Sequence, residues 1–243
     1  MPEDHETYVG WLQSENETFA AAARINLETR VPTCPGWTLR DLVIHHGSFQ
    51  AWITGMLLER AQSPVAPVTV ALDRDADVLG WYIPIGDRLV ATLLEIGPDA
   101  AMWDATGQQR SGAWARRQAS ETSVHRWDAQ HAHGRAQPIL HAGDYIDEML
   151  TLLVPNLVKV FGAPTPTGTL SLESTDENRV WRAAWDPAAW ESGQLEQVHG
   201  EADARLIGTT SDLFLALWRR PNAAEVVGNT ASLTSWNATI TGT

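Results

Sequence analysis

The spacing of apolar residues changes at residues 162–168, and this change restricts the chain to a two-part architecture. Before it, apolar positions recur every three or four residues, as on helices that bury one face. After it, two short strand-like runs flank the turn-forming segment 175–178, which is typical of a β-hairpin. The change itself is rich in Pro and Gly, as linkers are. We therefore predict an α plus α/β fold, with a helical domain over residues 1–162 and a small α/β domain over residues 168–243.

Capping and breaking residues set the limits of the predicted elements. Thr38 and Asp41 form a candidate capping box, and Pro84 lies inside a helical pattern that it should kink or split. Ser211 is the expected cap of a short helix in the second part. The predicted helices cover residues 5–29, a segment opening at Thr38, and residues 75–96, 113–133, 142–161, 212–218 and 231–237. The predicted strands cover residues 169–174, 179–185, 204–208 and 225–227.

The charge of the chain argues against two classes of partner. Lys and Arg number 17 against 30 Asp and Glu, a formal net charge of -13, which disfavours both nucleic acid and anionic membranes. The single cysteine, Cys34, allows no internal disulfide, as is usual in a reducing compartment. The acidic start of the sequence does not resemble a signal peptide, and no apolar run reaches the roughly 20 residues of a membrane span. We expect a cytoplasmic monomer.

One His and one Glu lie on the same face of a predicted helix, which suggests a metal site. Glu121 and His125 are four residues apart, so their side chains are neighbours. His45, on another helix, is a candidate third ligand, because bundles build metal sites from facing helices. Two imidazoles and a carboxylate suit zinc or another divalent metal, with a position left open. Spacing alone leaves His46 as an alternative to His45, and also leaves open that these are ordinary core or surface residues.

Two segments resemble the signatures of the mycothiol-dependent maleylpyruvate isomerase family, a branch of the DinB-like four-helix bundles. They are residues 35–45, Pro-Gly-Trp-Thr-Leu-Arg-Asp-Leu-Val-Ile-His, and residues 121–129, Glu-Thr-Ser-Val-His-Arg-Trp-Asp-Ala. The second part is similar to the C-terminal domain of that family. Its matching segments are Gly168-Thr169-Leu170, Ile207-Gly208-Thr209, Ser211-Asp212-Leu213 and Leu217-Trp218-Arg219-Arg220-Pro221.

The resemblance implies a fold, a ligand set and a cofactor. It implies a DinB-like bundle with zinc held by His45, Glu121 and His125, and mycothiol held at the metal in a cleft between the domains. A substrate-binding arginine of the family corresponds to Arg220, with Arg219 as the alternative. Arg74 could match a second such arginine, although surface solvation explains it better.

The function implied is attack of a metal-bound thiolate on a small electrophile, leading to cis–trans isomerisation. The same residues would suit a mycothiol S-transferase that leaves a stable thioether, or a metal- or thiol-binding module without turnover. Three nearby residues have simpler explanations: Cys34 as a structural residue, Asp41 as a helix cap rather than a partner of His45, and Asp128 as an exposed carboxylate.

Overall fold

The computed structural model describes residues 3–67, 69–184 and 201–241. These residues form two compact units. The first unit contains the described residues up to Asp104 together with Gln108–Ile139. The second contains Ala105–Gly107 and the described residues from Leu140 onward. None of the described helices combines the length and the apolar composition that crossing a membrane requires.

Four long helices form the first unit. They are α1 (His5–Ala23), α2 (Leu39–Glu59), α3 (Val78–Ile96) and α4 (Ser111–Ala132). Helix α1 packs along α4, and α2 packs along α3. The first helix ends at Ala23 rather than at residue 29, because the chain then turns towards α2 and Leu27 reaches the core from this loop. The capping box of α2 is confirmed, with Thr38 and Asp41 each binding the other's backbone N–H.

The core of the first unit is made by apolar side chains from the helices and from the loop before α2. Phe19, Leu42, Val43 and Tyr82 are fully buried in it, and Val31 joins them from the loop. Burying each such side chain contributes about 1.5–3 kcal/mol of hydrophobic stabilisation. This loop is therefore held against the same core as the helices that carry the candidate metal ligands.

Helix α3 continues through Pro84, so the split expected there does not occur. Proline removes one backbone N–H, which leaves the carbonyl four residues earlier, that of Gly80, without its helical partner. Both Pro84 and Gly80 are exposed, so water can bind that carbonyl. The proline is tolerated because it lies on the side of the helix that faces solvent.

The second unit begins with a continuous helical stretch that changes its winding once. Helix α5 (Ala142–Glu148) passes into a π-helical turn (Met149–Leu153) and then into α6 (Val154–Phe161). Pro155 lies in the first turn of α6, immediately after the π turn. The predicted helix over 142–161 is thus present. The wider π turn comes just before Pro155, a residue that an uninterrupted α-helix would accommodate poorly.

Among the residues that the structure describes, the second unit also has a sheet of four strands in the order β2-β1-β3-β4. They are β1 (Thr169–Ser174), β2 (Val180–Ala184), β3 (Ala204–Gly208) and β4 (Glu225–Gly228). The β1–β2 hairpin is antiparallel, β3 runs parallel to β1, and β4 is antiparallel to β3. The helix after β3 begins two residues before the predicted limit, because Thr209 caps it rather than Ser211. This helix is α7 (Thr210–Leu217), and a further helix, α8 (Thr230–Thr241), follows β4.

The predicted fold class, a helical bundle followed by a small α/β part, is confirmed. The compact units place residues 142–161 with the sheet rather than with the bundle. Two contacts explain this grouping: the ring of Tyr145 lies beside that of Phe214, and Asp147 binds Arg179. The limits 1–162 and 168–243, as boundaries of inherited domains, stay a prediction.

Candidate metal centre

The structure brings the side chains of His45, Glu121 and His125 close together inside the first unit. The ring centroids of His45 on α2 and His125 on α4 are 5.5 Å apart. The Nε2 atom of His125 is 3.6 Å from Oε1 of Glu121, one helical turn earlier. His125 is buried, whereas His45 and Glu121 are half-buried. The spacing argument from sequence therefore identified residues that are neighbours in space.

Helix α4 supplies two of these side chains and is buried along nearly all of its length from Ser111 to Ala129. Its sequence is polar, so its burial depends on pairing polar groups with one another. The Arg126 guanidinium, for example, donates to both carboxylate oxygens of Glu15 on α1. Ion pairs of this kind allow a polar helix to lie in the interior of the first unit.

The charges of Glu121 and His125 stabilise each other. Burial opposes ionisation of Glu121, but the close contact with His125 and the charge of Arg117 outweigh it, and the carboxyl pKa is lowered. Burial likewise opposes protonation of His125, but the carboxylates of Asp128 and Glu121 prevail and raise the imidazole pKa to about 9. Burial and the neighbouring His125 lower the pKa of His45. Glu121 is thus held in its ionised form, and His125 binds its proton more tightly than His45 does.

His46 is the more deeply buried of the two adjacent histidines. Its Nε2 atom accepts a hydrogen bond from the side-chain amide of Gln50, at 3.1 Å, and lies 3.1 Å from the hydroxyl of Thr122. Burial lowers the pKa of its imidazole well below the usual value. His45, by contrast, has no hydrogen bond to any described residue, and its ring contacts that of Trp37 at 4.9 Å between centroids. His46 thus has a structural partner for the nitrogen that a metal would need, and His45 does not.

The expectation that Asp128 is an exposed carboxylate is wrong, because its side chain is fully buried. Its Oδ2 atom lies 3.3 Å from Nδ1 of His125, and its Oδ1 accepts a 2.6 Å hydrogen bond from the Thr33 hydroxyl. Asp128 comes three residues after His125, a helical spacing that is visible in the sequence. No sequence pattern indicates that Thr33, 95 positions away, holds its other oxygen.

Arg117 was missed at the level of sequence. It is buried one turn before Glu121, and its Nη2 atom is 3.3 Å from Oε2 of Glu121 and 2.9 Å from the Ser120 hydroxyl. Its position four residues before Glu121 was the available signal, since opposite charges at that spacing contact each other on a helix. A cation beside Glu121 supports its ionised form.

The three candidate arginines lie on other segments of the sequence than the candidate metal ligands. Arg220 follows α7 in the second unit, is half-buried, and donates from Nη1 to the Trp218 carbonyl. Arg219 is exposed and has a left-handed backbone with φ of 57°. Arg74 is exposed in a turn before α3 in the first unit. Their roles stay predictions.

The fit of this cluster to a metal rests on its donor atoms. Among residues 3–67, 69–184 and 201–241, no three His, Cys, Asp or Glu side chains are already grouped so as to hold an ion. Nε2 of His125, however, is buried without a hydrogen-bond partner, which is costly for a polar atom. Two imidazoles and a carboxylate form a donor set that divalent zinc accepts. The donor types at this cluster therefore suit the implied group, and His45, Glu121 and His125 are the neighbouring side chains that would hold it.

Comparison with known proteins places this geometry in context. Residues 12–130 match the family model described as the mycothiol maleylpyruvate isomerase N-terminal domain. Two solved structures, of the mycothiol-dependent maleylpyruvate isomerase and of a histidine-to-alanine variant of it, share the fold. Each has a TM-score of 0.62 over 92% of this chain and 93% of the other, at 15% and 14% sequence identity respectively. No curated protein matches the sequence. At such identities, the structural similarity establishes the fold alone.

Proposed function

We propose that this chain is a mycothiol-dependent metalloenzyme of the maleylpyruvate isomerase type, because residues 12–130 match the family model described as the mycothiol maleylpyruvate isomerase N-terminal domain. His45, Glu121 and His125 would bind zinc or another divalent metal. The substrate would be a small electrophile whose double bond undergoes cis–trans isomerisation. The partners would thus be a small thiol and a small electrophilic substrate.

One observation carries this proposal: a buried imidazole nitrogen without a partner lies beside an ionised carboxylate and a second histidine. Nε2 of His125 has no hydrogen bond, Glu121 is 3.6 Å from it, and the His45 ring is adjacent. A core that needed only stability would satisfy or remove such an atom, because leaving it unpaired costs about 1–3 kcal/mol. A metal ligand is a use that explains the cost.

The chemistry then divides between the metal and the chain. When bound, a divalent cation favours the thiolate form of a small thiol, which is the nucleophilic form. The chain keeps Glu121 ionised through Arg117 and holds the His125 ring through Asp128. Arg220 would bind a substrate carboxylate through its two parallel N–H groups, with Arg74 as a second assignment.

Metal content tests the ligand assignment directly. We expect purified protein loaded with Zn²⁺ and then dialysed to retain about one ion per chain by elemental analysis, and His125→Ala to retain almost none. His131→Ala is the matched control, because His131 lies on the same helix but stacks on Trp127. Retention of metal by His125→Ala, or none in the wild type, would contradict the proposal.

Incubation of the metal-loaded protein with mycothiol and maleylpyruvate tests the reaction. Chromatography coupled to mass spectrometry separates the possible products. A new isomer of unchanged mass supports the isomerase. A stable thiol conjugate supports the S-transferase, which uses the same donors but keeps the carbon–sulfur bond. Unchanged reactants with bound metal would instead support a binding module without turnover.

A further inference from the structure

A series of contacts between side chains connects the loop before α2 to the candidate ligand His125. The Thr33 hydroxyl donates to Oδ1 of Asp128, and Oδ2 of Asp128 faces Nδ1 of His125. The Asp128 side chain is wholly buried, and His125 is nearly so. Neither oxygen of this carboxylate is therefore placed for solvent.

The acceptor character of this carboxylate determines the tautomer of His125. An ionised carboxylate can only accept hydrogen bonds, so Nδ1 of His125 must carry the hydrogen that it donates. In the neutral imidazole, Nε2 then holds the lone pair. Nε2 is also the atom that is buried without a hydrogen-bond partner and lies towards Glu121. The contact thus directs the ligating nitrogen to the side where the other candidate ligands lie.

The loop that supplies Thr33 is fixed by its own hydrogen bonds and touches the second histidine as well. Backbone bonds run from Val31 N to Trp37 O, from Cys34 N to Val31 O and from Trp37 N to Cys34 O. The Trp37 ring packs on His45. One closed loop therefore contacts His45 directly and His125 through Asp128.

We propose that Asp128 and Thr33 are positioning residues, which hold His125 as the Nδ1–H tautomer so that Nε2 is free to bind a metal. This inference rests on the proposed function for the identity of the ligand, but its claim about the tautomer concerns the metal-free protein. Partners of this kind commonly change metal affinity about 10–100-fold when they are removed.

The tautomer is measured without metal, by imidazole ¹⁵N NMR of histidine-labelled protein at pH 10 in a chelating buffer. We expect Nδ1–H for His125 in the wild type. In Asp128→Asn the new amide can donate as well as accept, so the Nδ1–H form should lose its dominance. An Nε2–H tautomer in the wild type, or an unchanged tautomer in Asp128→Asn, would overturn the proposal.

Metal affinity is measured on the same variants by competition with a chromophoric Zn²⁺ chelator. We expect affinity to fall about 10–100-fold in Asp128→Asn. Thr33→Val should cause a smaller loss, and Thr33→Ser, which keeps the hydroxyl, should restore the wild-type value. Equal affinity in the wild type and in Asp128→Asn would overturn the positioning role.

Glu15→Gln is the control for a purely structural effect. Glu15 is also a buried carboxylate that contacts α4, through Arg126, but it touches neither histidine. It should lower thermal stability and leave both the His125 tautomer and the metal affinity unchanged. If the wild type has the Nδ1–H tautomer but binds no metal, the proposed function fails while the assigned role of Asp128 in setting the tautomer stands.

Discussion

Adjacent residues on an α-helix point about 100° apart, and on α2 this rotation separates His45 from His46. His46 enters a buried polar network with Gln50 and Thr122, while His45 stays at the edge of the core beside Trp37. The ring centroid of His45 is 5.5 Å from that of His125, and the ring centroid of His46 is 5.1 Å from it. Proximity therefore does not distinguish them, but their hydrogen bonds do.

The different hydrogen bonding predicts opposite phenotypes for two alanine variants. His46→Ala should lower the free energy of unfolding by about 2–3 kcal/mol, since it leaves a cavity and removes the imidazole that contacts both the Gln50 amide and the Thr122 hydroxyl. It should retain most of its Zn²⁺ affinity. His45→Ala should unfold nearly as the wild type does in a chelating buffer but lose Zn²⁺ binding. Urea denaturation and chelator competition measure the two effects. The reverse pattern would assign the ligand to His46.

For single residues, sequence spacing could identify Glu121 and His125 as neighbours. It could not identify the other side chains that contact them. The i,i+4 relation follows from helix geometry, so it is available in any sequence that forms the helix. The contact between Thr33 and Asp128 joins residues 95 positions apart and depends on how the loop packs on α4. No local pattern contains that information, and for this reason Asp128 was expected to be exposed.

Among the elements, α2 depends on the capping box at its start for the position of its first turns. The Thr38 hydroxyl accepts from the Asp41 backbone N–H, and the Asp41 carboxylate accepts from the Thr38 backbone N–H. His45 follows one turn after Asp41. A frayed start of this helix would therefore disturb a candidate ligand.

Loss of this cap should affect both stability and the site. Thr38→Ala should lower the free energy of unfolding by about 1 kcal/mol and weaken Zn²⁺ binding several-fold. Thr209→Ala is a matched control, because Thr209 caps α7 in the second unit through the Asp212 backbone N–H. It should cost similar stability without changing Zn²⁺ affinity. An equal change of affinity in both variants would show that general destabilisation, not the start of α2, is responsible.

The limits of most elements could be predicted because caps, turns and breakers are local signals. Three features could not. The end of α1 was placed too late because Leu27 continues the apolar pattern from a loop. The deep burial of α4 contradicts its polar composition, because buried ion pairs replace an apolar face. The π turn at Met149–Leu153 adds a residue to the helical winding without a sequence signal other than the nearby Pro155.

For the whole molecule, the excess of acidic residues makes carboxylate pairing important to stability at low pH. Hydrogen bonds and the charge of Arg205 lower the pKa of Glu173 from its usual value of 4.5. Hydrogen bonds from Thr169 likewise lower the pKa of Asp203 from 3.8. These groups bind protons less readily when the protein is folded. Their stabilisation is therefore complete above the unfolded pKa values and is lost as the pH falls through the folded ones.

Acid unfolding of the second unit should thus depend on these pairs. We expect the contribution of these pairs to the thermal midpoint to be complete above about pH 5 and to fall progressively below pH 4.5. Glu173→Gln should be less stable than the wild type at pH 7, and the difference should shrink as the pH falls, because the wild type loses the same interaction. Calorimetry from pH 3 to pH 7 measures it. A difference that grows towards low pH would contradict the assigned direction of the pKa shift.

The division into a helical bundle and an α/β part was visible in the sequence because the period of the apolar pattern depends only on local backbone geometry. The grouping of residues 142–161 with the sheet was not visible. It depends on contacts such as that of Asp147 with Arg179 and Trp181, which join segments about 30 residues apart.

The only cysteine of the chain lies half-buried in the loop that touches both histidine environments. Any assay of this protein with a small thiol therefore contains two kinds of thiol group, that of the reagent and that of Cys34. Under oxidising conditions a mixed disulfide at Cys34 would add the mass of the thiol to the protein and perturb the loop that carries Thr33 and Trp37. Such an adduct could be mistaken for inhibition at the metal, so Cys34→Ser is the background in which thiol dependence should be measured.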